Sequence, residues 1–175
     1  NQNGKLVVVT GSNTGIGYHM ALTLADKGAD VILACRNEEK AELAKAKMLK
    51  TSPGANITVQ LLDLADLVSI EGFANRMKKS HKHLDLLINN AGVMIPPKSI
   101  TKDGFELQIG TNHFGHFALT SHLMPLLSAA KAPRVVTLSS IAHWSGRIDF
   151  EDINGENKKY DKWGMYSQSK LANLL

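Results

Sequence analysis

Lys5-Leu6-Val7-Val8-Val9-Thr10-Gly11-Ser12-Asn13-Thr14-Gly15-Ile16-Gly17 decides the reading of this chain. Five residues suited to a buried strand run directly into three glycines spaced G-x-x-x-G-x-G, and a helical pattern follows. A helix that opens on glycines straight after a strand presents free N–H groups and the positive end of its dipole, which suits an anionic phosphate group. Glycines there permit a tight turn and a close backbone approach. A plain strand-to-helix turn would look similar, so the rest of the chain has to decide.

Strand-like runs recur at Lys5–Thr10, Asp30–Cys35, Ile57–Leu62, Leu84–Ile88 and Arg134–Ser139. Several are almost continuous Val, Ile and Leu, as expected of parallel strands buried on both faces. Helical patterns lie between them. Ile16, Met20 and Leu24 repeat every fourth position. Asn37–Lys50 is rich in strong helix formers. Leu67, Ile70, Phe73, Ala74 and Met77 form a stripe, and Phe114–Leu127 reads as a long helix. This alternation predicts an α/β fold, a doubly wound parallel sheet with right-handed crossovers. The 175 residues predict a single domain over 1–175. Ser140–Trp163 is the one long irregular stretch, and such loops tend to be functional or disordered.

Charge and composition exclude several classes. The formal net charge is +4, and the lysines fall in scattered groups (Lys45, Lys47, Lys50; Lys78, Lys79, Lys82; Lys158, Lys159) rather than one patch. No nucleic-acid partner is therefore expected. Cys35 is the single cysteine, so no internal disulfide can form. No apolar run reaches 18 residues and no secretory signal is visible. The expected location is the cytoplasm, with peripheral membrane association of a parent protein left open. His113 and His116, with His122 further on, have metal-like spacing but no cysteine or acidic residue close by, so no metal site is expected. Ser139 or Ser140 with His143 lacks the elbow motif of a hydrolase.

Thr10–Gly17 resembles the cofactor fingerprint of the short-chain dehydrogenase/reductase family, and further motifs follow in that family's order. Asp63 comes after the third strand, Asn89-Asn90-Ala91-Gly92 after the fourth, and Asn112 lies in Gly110–Phe117. Ser139-Ser140 ends the fifth strand, and Tyr166-Ser167-Gln168-Ser169-Lys170 opens the last helix. The match spans essentially the whole chain. The runs ACRN, GTNHFGHFALT, LSSIAH and YSQSKLANLL are similar to the retinol dehydrogenase branch, and in places to WW-domain oxidoreductases and protochlorophyllide reductases.

The resemblance implies a Rossmann fold, cut off here after the fifth strand and the start of the catalytic helix, and hydride transfer between NADP(H) and an alcohol or carbonyl compound. The substrate it implies is lipophilic, retinoid- or steroid-like. Tyr166 would exchange a proton with the substrate oxygen. Lys170, one turn away and so on the same helix face, would favour the ionised phenol and hold the nicotinamide ribose. Ser140, the second serine of its pair, would hydrogen-bond the substrate oxygen, and Asn112 would help hold a proton relay. The implied cofactor contacts are Gly11, Ser12, Asn13, Thr14, Gly15, Ile16, Gly17, Arg36, Asn37, Asp63, Leu64, Asn90, Ala91, Gly92, Tyr166 and Lys170. Asp63 would meet the adenine, or else cap a helix. Trp144 and Trp163 stand out as pocket walls or as simple packing.

Cofactor choice rests on the end of the second strand. An NAD-type domain carries Asp or Glu there. Here Cys35 takes that place and Arg36 follows, a planar fork of donors suited to a 2′-phosphate. NADP(H) is therefore expected over NAD(H), unless Arg36 merely pairs with Glu38 or Glu39. The rival class is a truncated dinucleotide-binding module without turnover. A longer parent could be a homo-oligomer.

Overall fold

The computed structural model describes all 175 residues. Its order is β1 (Leu6–Thr10), α1 (Gly15–Asp26), β2 (Asp30–Cys35), α2 (Glu38–Thr51), β3 (Asn56–Leu61), α3 (Leu67–Ser80) and β4 (Leu86–Asn89). Then come a single turn α4 (Leu107–Ile109), α5 (Gly115–Ser128), β5 (Arg134–Thr137) and α6 (Lys162–Ala172). A widened π-helical turn, Gly110–Phe114, joins α4 to α5, and a 3₁₀ turn, Ile141–Ser145, follows β5. The five strands are all parallel in the order β3-β2-β1-β4-β5. This is the doubly wound sheet expected. Strand limits shift by one or two residues, where the ladder runs out into single backbone bonds such as Leu62 N–H to Cys35 C=O at 3.0 Å. No helix is long and apolar enough to cross a membrane.

Two cores form because a strand sends alternate side chains to opposite faces. Leu6, Val8, Ile32 and Leu87 pack with α3 and α5 through Phe73, Met77, Leu119 and Leu123. Val7, Val9, Val31 and Leu33 pack with α1 and α2 through Ala21, Ala25, Ala41 and Met48. β1 lies in the middle with all five residues buried. β5 is an outer strand in this order, and its Val135 and Val136 are exposed.

α1 departs from the expected stripe. Ile16 is 67% exposed, while Gly17, Ala21 and Ala25 are the buried positions. The helix lies so close to the sheet that only small residues fit its inner face. A Cβ on Gly17 would run into the Asn90 side-chain amide. α2 and α3 start on polar caps. Asn37 accepts from Lys40 N–H, and Asp66 from Val68 and Ser69 N–H.

Phe73 is fully buried between α3 and the sheet. Phe73→Ala should lower unfolding stability by about 3–5 kcal/mol, since the cavity it leaves cannot collapse onto a rigid sheet. Urea unfolding of the whole protein measures this, and a loss below about 1 kcal/mol would contradict the packing described.

Candidate active site

The motif residues meet along the carboxyl ends of the strands, around the neighbouring ends of β1 and β4. Most of them border a cleft of about 450 Å³. Gly11, with φ +63°, turns the chain out of β1. A Cβ there would lie 2.8 Å from the Ala91 Cβ, so the close approach of the two loops also requires glycine. Thr14 occupies the N-cap of α1 but makes no side-chain cap bond, and no acidic residue lies in the first turn. The N–H groups of this turn therefore have no side-chain acceptor, and Asn13, Thr14, Ile16 and Gly17 line the cleft.

Thr10 joins this loop to the one after β4. Its Oγ1 accepts from the N–H of Asn90 and of Ala91, both at 2.9 Å. Asn90 returns its side-chain amide to the carbonyls of Thr10 (2.7 Å) and Gly11 (3.3 Å). Asn89 braces the opposite side, donating to the hydroxyls of Thr120 on α5 and Thr137 on β5. The Asn-Asn-Ala-Gly motif thus ties the sheet together while Asn90, Ala91 and Gly92 also line the cleft.

At one end of the cleft, Tyr166 and Lys170 lie on the same face of α6, with the Lys170 Nζ 5.9 Å from the centre of the Tyr166 ring. Nζ donates to the Leu138 carbonyl at 3.1 Å, and burial pushes the Lys170 ammonium below its ordinary value. The paired serines differ. Ser139 Oγ donates its proton to the Lys170 carbonyl at 2.6 Å. Ser140 Oγ accepts from Ala142 N–H at 3.3 Å, which leaves its proton free. His143 meets the Ser140 carbonyl rather than its hydroxyl. Asn112 is completely buried. It exchanges both amide functions with the Val93 backbone and donates to Ser169 Oγ at 2.9 Å, and Ser169 donates on to the Tyr166 carbonyl at 2.7 Å.

The other end holds Cys35, Arg36, Leu62, Asp63 and Leu64. Arg36 is exposed and takes part in none of the four ion pairs of the chain, so the expected rival pairing with Glu38 or Glu39 is not made. Asp63 does not cap α3, a task that falls to Asp66. It accepts from Ala65 N–H with one oxygen and leaves the other without a protein donor. Burial pushes the Cys35 thiol above its ordinary range.

Five expected site residues do not line the cleft. Ser12 turns inward, donating to the Val9 carbonyl and meeting Cys35 Sγ at 3.6 Å. Gly15 supplies a positive φ of 59° behind the turn, and Asn37 caps α2. Asn112 sits behind Gly92, and Ser140 lies beside the cleft wall. Trp144 and Trp163 are exposed and line neither this cleft nor the larger apolar hollow of about 670 Å³ beside α5. Conversely, Val93, Met94, Thr111 and Leu138 line the cleft without having stood out. They sit beside motif residues in sequence, but their own side chains carry no chemical signal.

His113 and His116 go to different partners. His113 Nδ1 meets Asn173 Oδ1 at 3.1 Å. His116 is 2% exposed, with Nδ1 against the Asn112 carbonyl and Nε2 against Thr10 Oγ1, both at 2.9 Å. Burial lowers its pKa to about 4, helped by the charges of Lys170 and His113 and opposed by the Asn112 carbonyl.

A family model described as short chain dehydrogenase matches residues 5–173. Retinol dehydrogenase 13 of Mus musculus is 49% identical over 172 residues, which cover 98% of this chain and 52% of that protein. The chain spans about half the length of the curated relatives it matches. A solved structure of a protein from Mycobacterium paratuberculosis superposes with a TM-score of 0.88 at 49% identity, covering 98% of this chain and 59% of that one. A second, of a protein from Escherichia coli CFT073 complexed with NADPH, has a TM-score of 0.76 at 28% identity, covering 98% of this chain and 69% of that one.

A neutral buried histidine sets an acid limit on stability. The unfolded chain takes up a proton below about 6.5 that the folded chain refuses until about 4. The contribution is therefore present above about 6.5 and is lost as pH falls towards 4. Between pH 7 and pH 5 wild type should lose roughly 2 kcal/mol more unfolding stability than His116→Gln. Denaturant titrations at the two pH values measure it, and equal losses would contradict a neutral His116.

Proposed function

The chain belongs to the short-chain dehydrogenase family, and from that premise we propose that the protein transfers a hydride between NADP(H) and a lipophilic alcohol or carbonyl compound. One observation carries the reading. A single cleft joins the uncapped first turn of α1, the unpaired Arg36 and the Tyr166–Lys170 pair. The fit to a dinucleotide is supported by the place where a Cβ on Gly11 would close the approach between the loops. The free N–H groups of α1 would hold the pyrophosphate. Arg36 would hold the 2′-phosphate and Asp63 would accept from the adenine amine. Asn90, its side chain spent on two carbonyls, would act by shaping the loop. The nicotinamide, when bound, supplies the hydride chemistry.

The remaining work falls to the chain's own groups. The Tyr166 hydroxyl gives a proton to the substrate oxygen in reduction and takes it back in oxidation. The Ser140 hydroxyl donates to the same oxygen, for which Ser139 has no proton left. Lys170 holds the ribose end and supplies positive charge beside the phenol. The lipophilic substrate is supported by the name of the relatives, retinol dehydrogenase, and by apolar surface at this end. Met94 lines the cleft, and exposed Ile141 follows Ser140.

In the whole protein, Tyr166→Phe should bind NADPH as wild type does and lose about 10²–10⁴-fold in kcat. Turnover within a factor of about two would remove Tyr166 from the chemistry and favour a binding module. Arg36→Ala should weaken NADPH by about ten- to hundredfold, the scale of charge-assisted bonds, and leave NADH almost unchanged. Fluorescence titration of each cofactor reads this, and equal losses for both would refute the role of Arg36.

A further inference from the structure

The His113–His116 spacing has no part in the reaction just proposed, yet His116 sits between Thr10 at the end of β1 and Asn112 beside α6. We infer that His116 is a positioning residue, whose neutral ring in a single tautomer locks the nucleotide loop to the catalytic helix. This inference rests on the proposed dehydrogenase reading of the cleft.

The tautomer follows from the partners. The Asn112 carbonyl can only accept, so His116 Nδ1 carries the hydrogen and Nε2 is bare. Bare Nε2 needs a donor, and the group 2.9 Å away is the Thr10 hydroxyl. Thr10 Oγ1 already accepts the N–H groups of Asn90 and Ala91. Both its lone pairs are used, and its single proton is what remains to give. The only other acceptor in reach, the Ile88 carbonyl, is further off at 3.4 Å. Every donor and acceptor in the set then has one assignment.

The chain of bonds continues in both directions. From Thr10 it reaches the two loops over the phosphate end of the cleft. From the Asn112 residue it reaches Ser169 and the Tyr166 carbonyl on α6. Asn112 lies in the π-helical turn. Gly115 N–H bonds to the Gly110 carbonyl five residues back, which widens the helix where Asn112 sits. The charged and titratable groups facing the ring are Lys170 from α6 and His113 from the same helical run. Both are cationic when protonated, so both favour the neutral ring. Protonation would give Nε2 a hydrogen with no lone pair on Thr10 to receive it.

The two halves of the ring can be replaced one at a time. An Asn amide reaches where Nδ1 sits and can donate to the Asn112 carbonyl. A Gln carbonyl reaches where Nε2 sits and can accept from Thr10. In the whole protein, His116→Asn should raise the NADPH dissociation constant roughly three- to tenfold with kcat nearly kept. His116→Gln should keep that constant and lower kcat by a similar factor, the scale of one net hydrogen bond. In wild type, ¹⁵N-histidine NMR should show His116 protonated at Nδ1 and bare at Nε2 from pH 8 to pH 5, before and after NADPH is added. An Nε2–H ring, or a ring that titrates in that range, would overturn the inference even if neither variant folds. So would variants that lose affinity, kcat and melting temperature together, or that change neither constant. A wild-type protein that holds this tautomer but binds no NADPH would refute the dehydrogenase reading while the buried network stood.

Discussion

The hydroxyl of Thr10 is the constraint on which the cleft depends. β1 is buried on both faces, and Thr10 is its last residue. One oxygen there accepts two backbone N–H groups and donates to one imidazole. A buried hydroxyl with all three of its capacities met has no low-cost rearrangement, because any shift leaves a donor or acceptor unpaired in an apolar interior. The loop after β1 and the loop after β4 therefore keep a fixed separation. That separation is the floor of the cleft.

Close packing serves the same end. α1 lies on the sheet through Gly17, Ala21 and Ala25, which brings its uncapped first turn directly over the strand ends. Gly92 allows a comparable approach on the other side. A Cβ there would sit 3.2 Å from Asn112 Oδ1 and 3.5 Å from the Lys170 ammonium. The small residues give up apolar burial of their own and gain an arrangement in which free N–H groups and a buried ammonium border one space. Such preorganised donors need little rearrangement when charge arrives.

Much of this was legible from residue order. The five strands, their parallel arrangement and the ordered motifs follow from β-branched runs alternating with helical patterns. Arg36 stood out because a position that takes a carboxylate in NAD-type domains holds Cys35 instead. Other features carried no sequence signal. The apolar period of α1 pointed to Ile16, Met20 and Leu24, whereas the inner face is made of glycine and alanine, which have no strong hydropathy. The resemblance gives Asn112 a part in holding a proton relay, and its amide is engaged by Val93 and Ser169, partners that only the tertiary fold brings near. Leu138 acts through its carbonyl, which accepts from both Lys170 and Asn173 and which any residue would supply. The role of His116 depends on a hydrogen bond to a residue 106 positions earlier in the chain.

We propose that the carboxyl ends of β1, β2 and β4 form one preformed dinucleotide site that ends at Tyr166. A crystal structure of the whole protein with NADPH tests it most directly. The pyrophosphate should lie on the first-turn N–H groups of α1, the 2′-phosphate on Arg36 and the nicotinamide beside Tyr166 and Lys170. Thr10, Asn90 and His116 should keep the contacts they have without ligand. A dinucleotide bound elsewhere, or bound here only after the loops following β1 and β4 move apart, would contradict it.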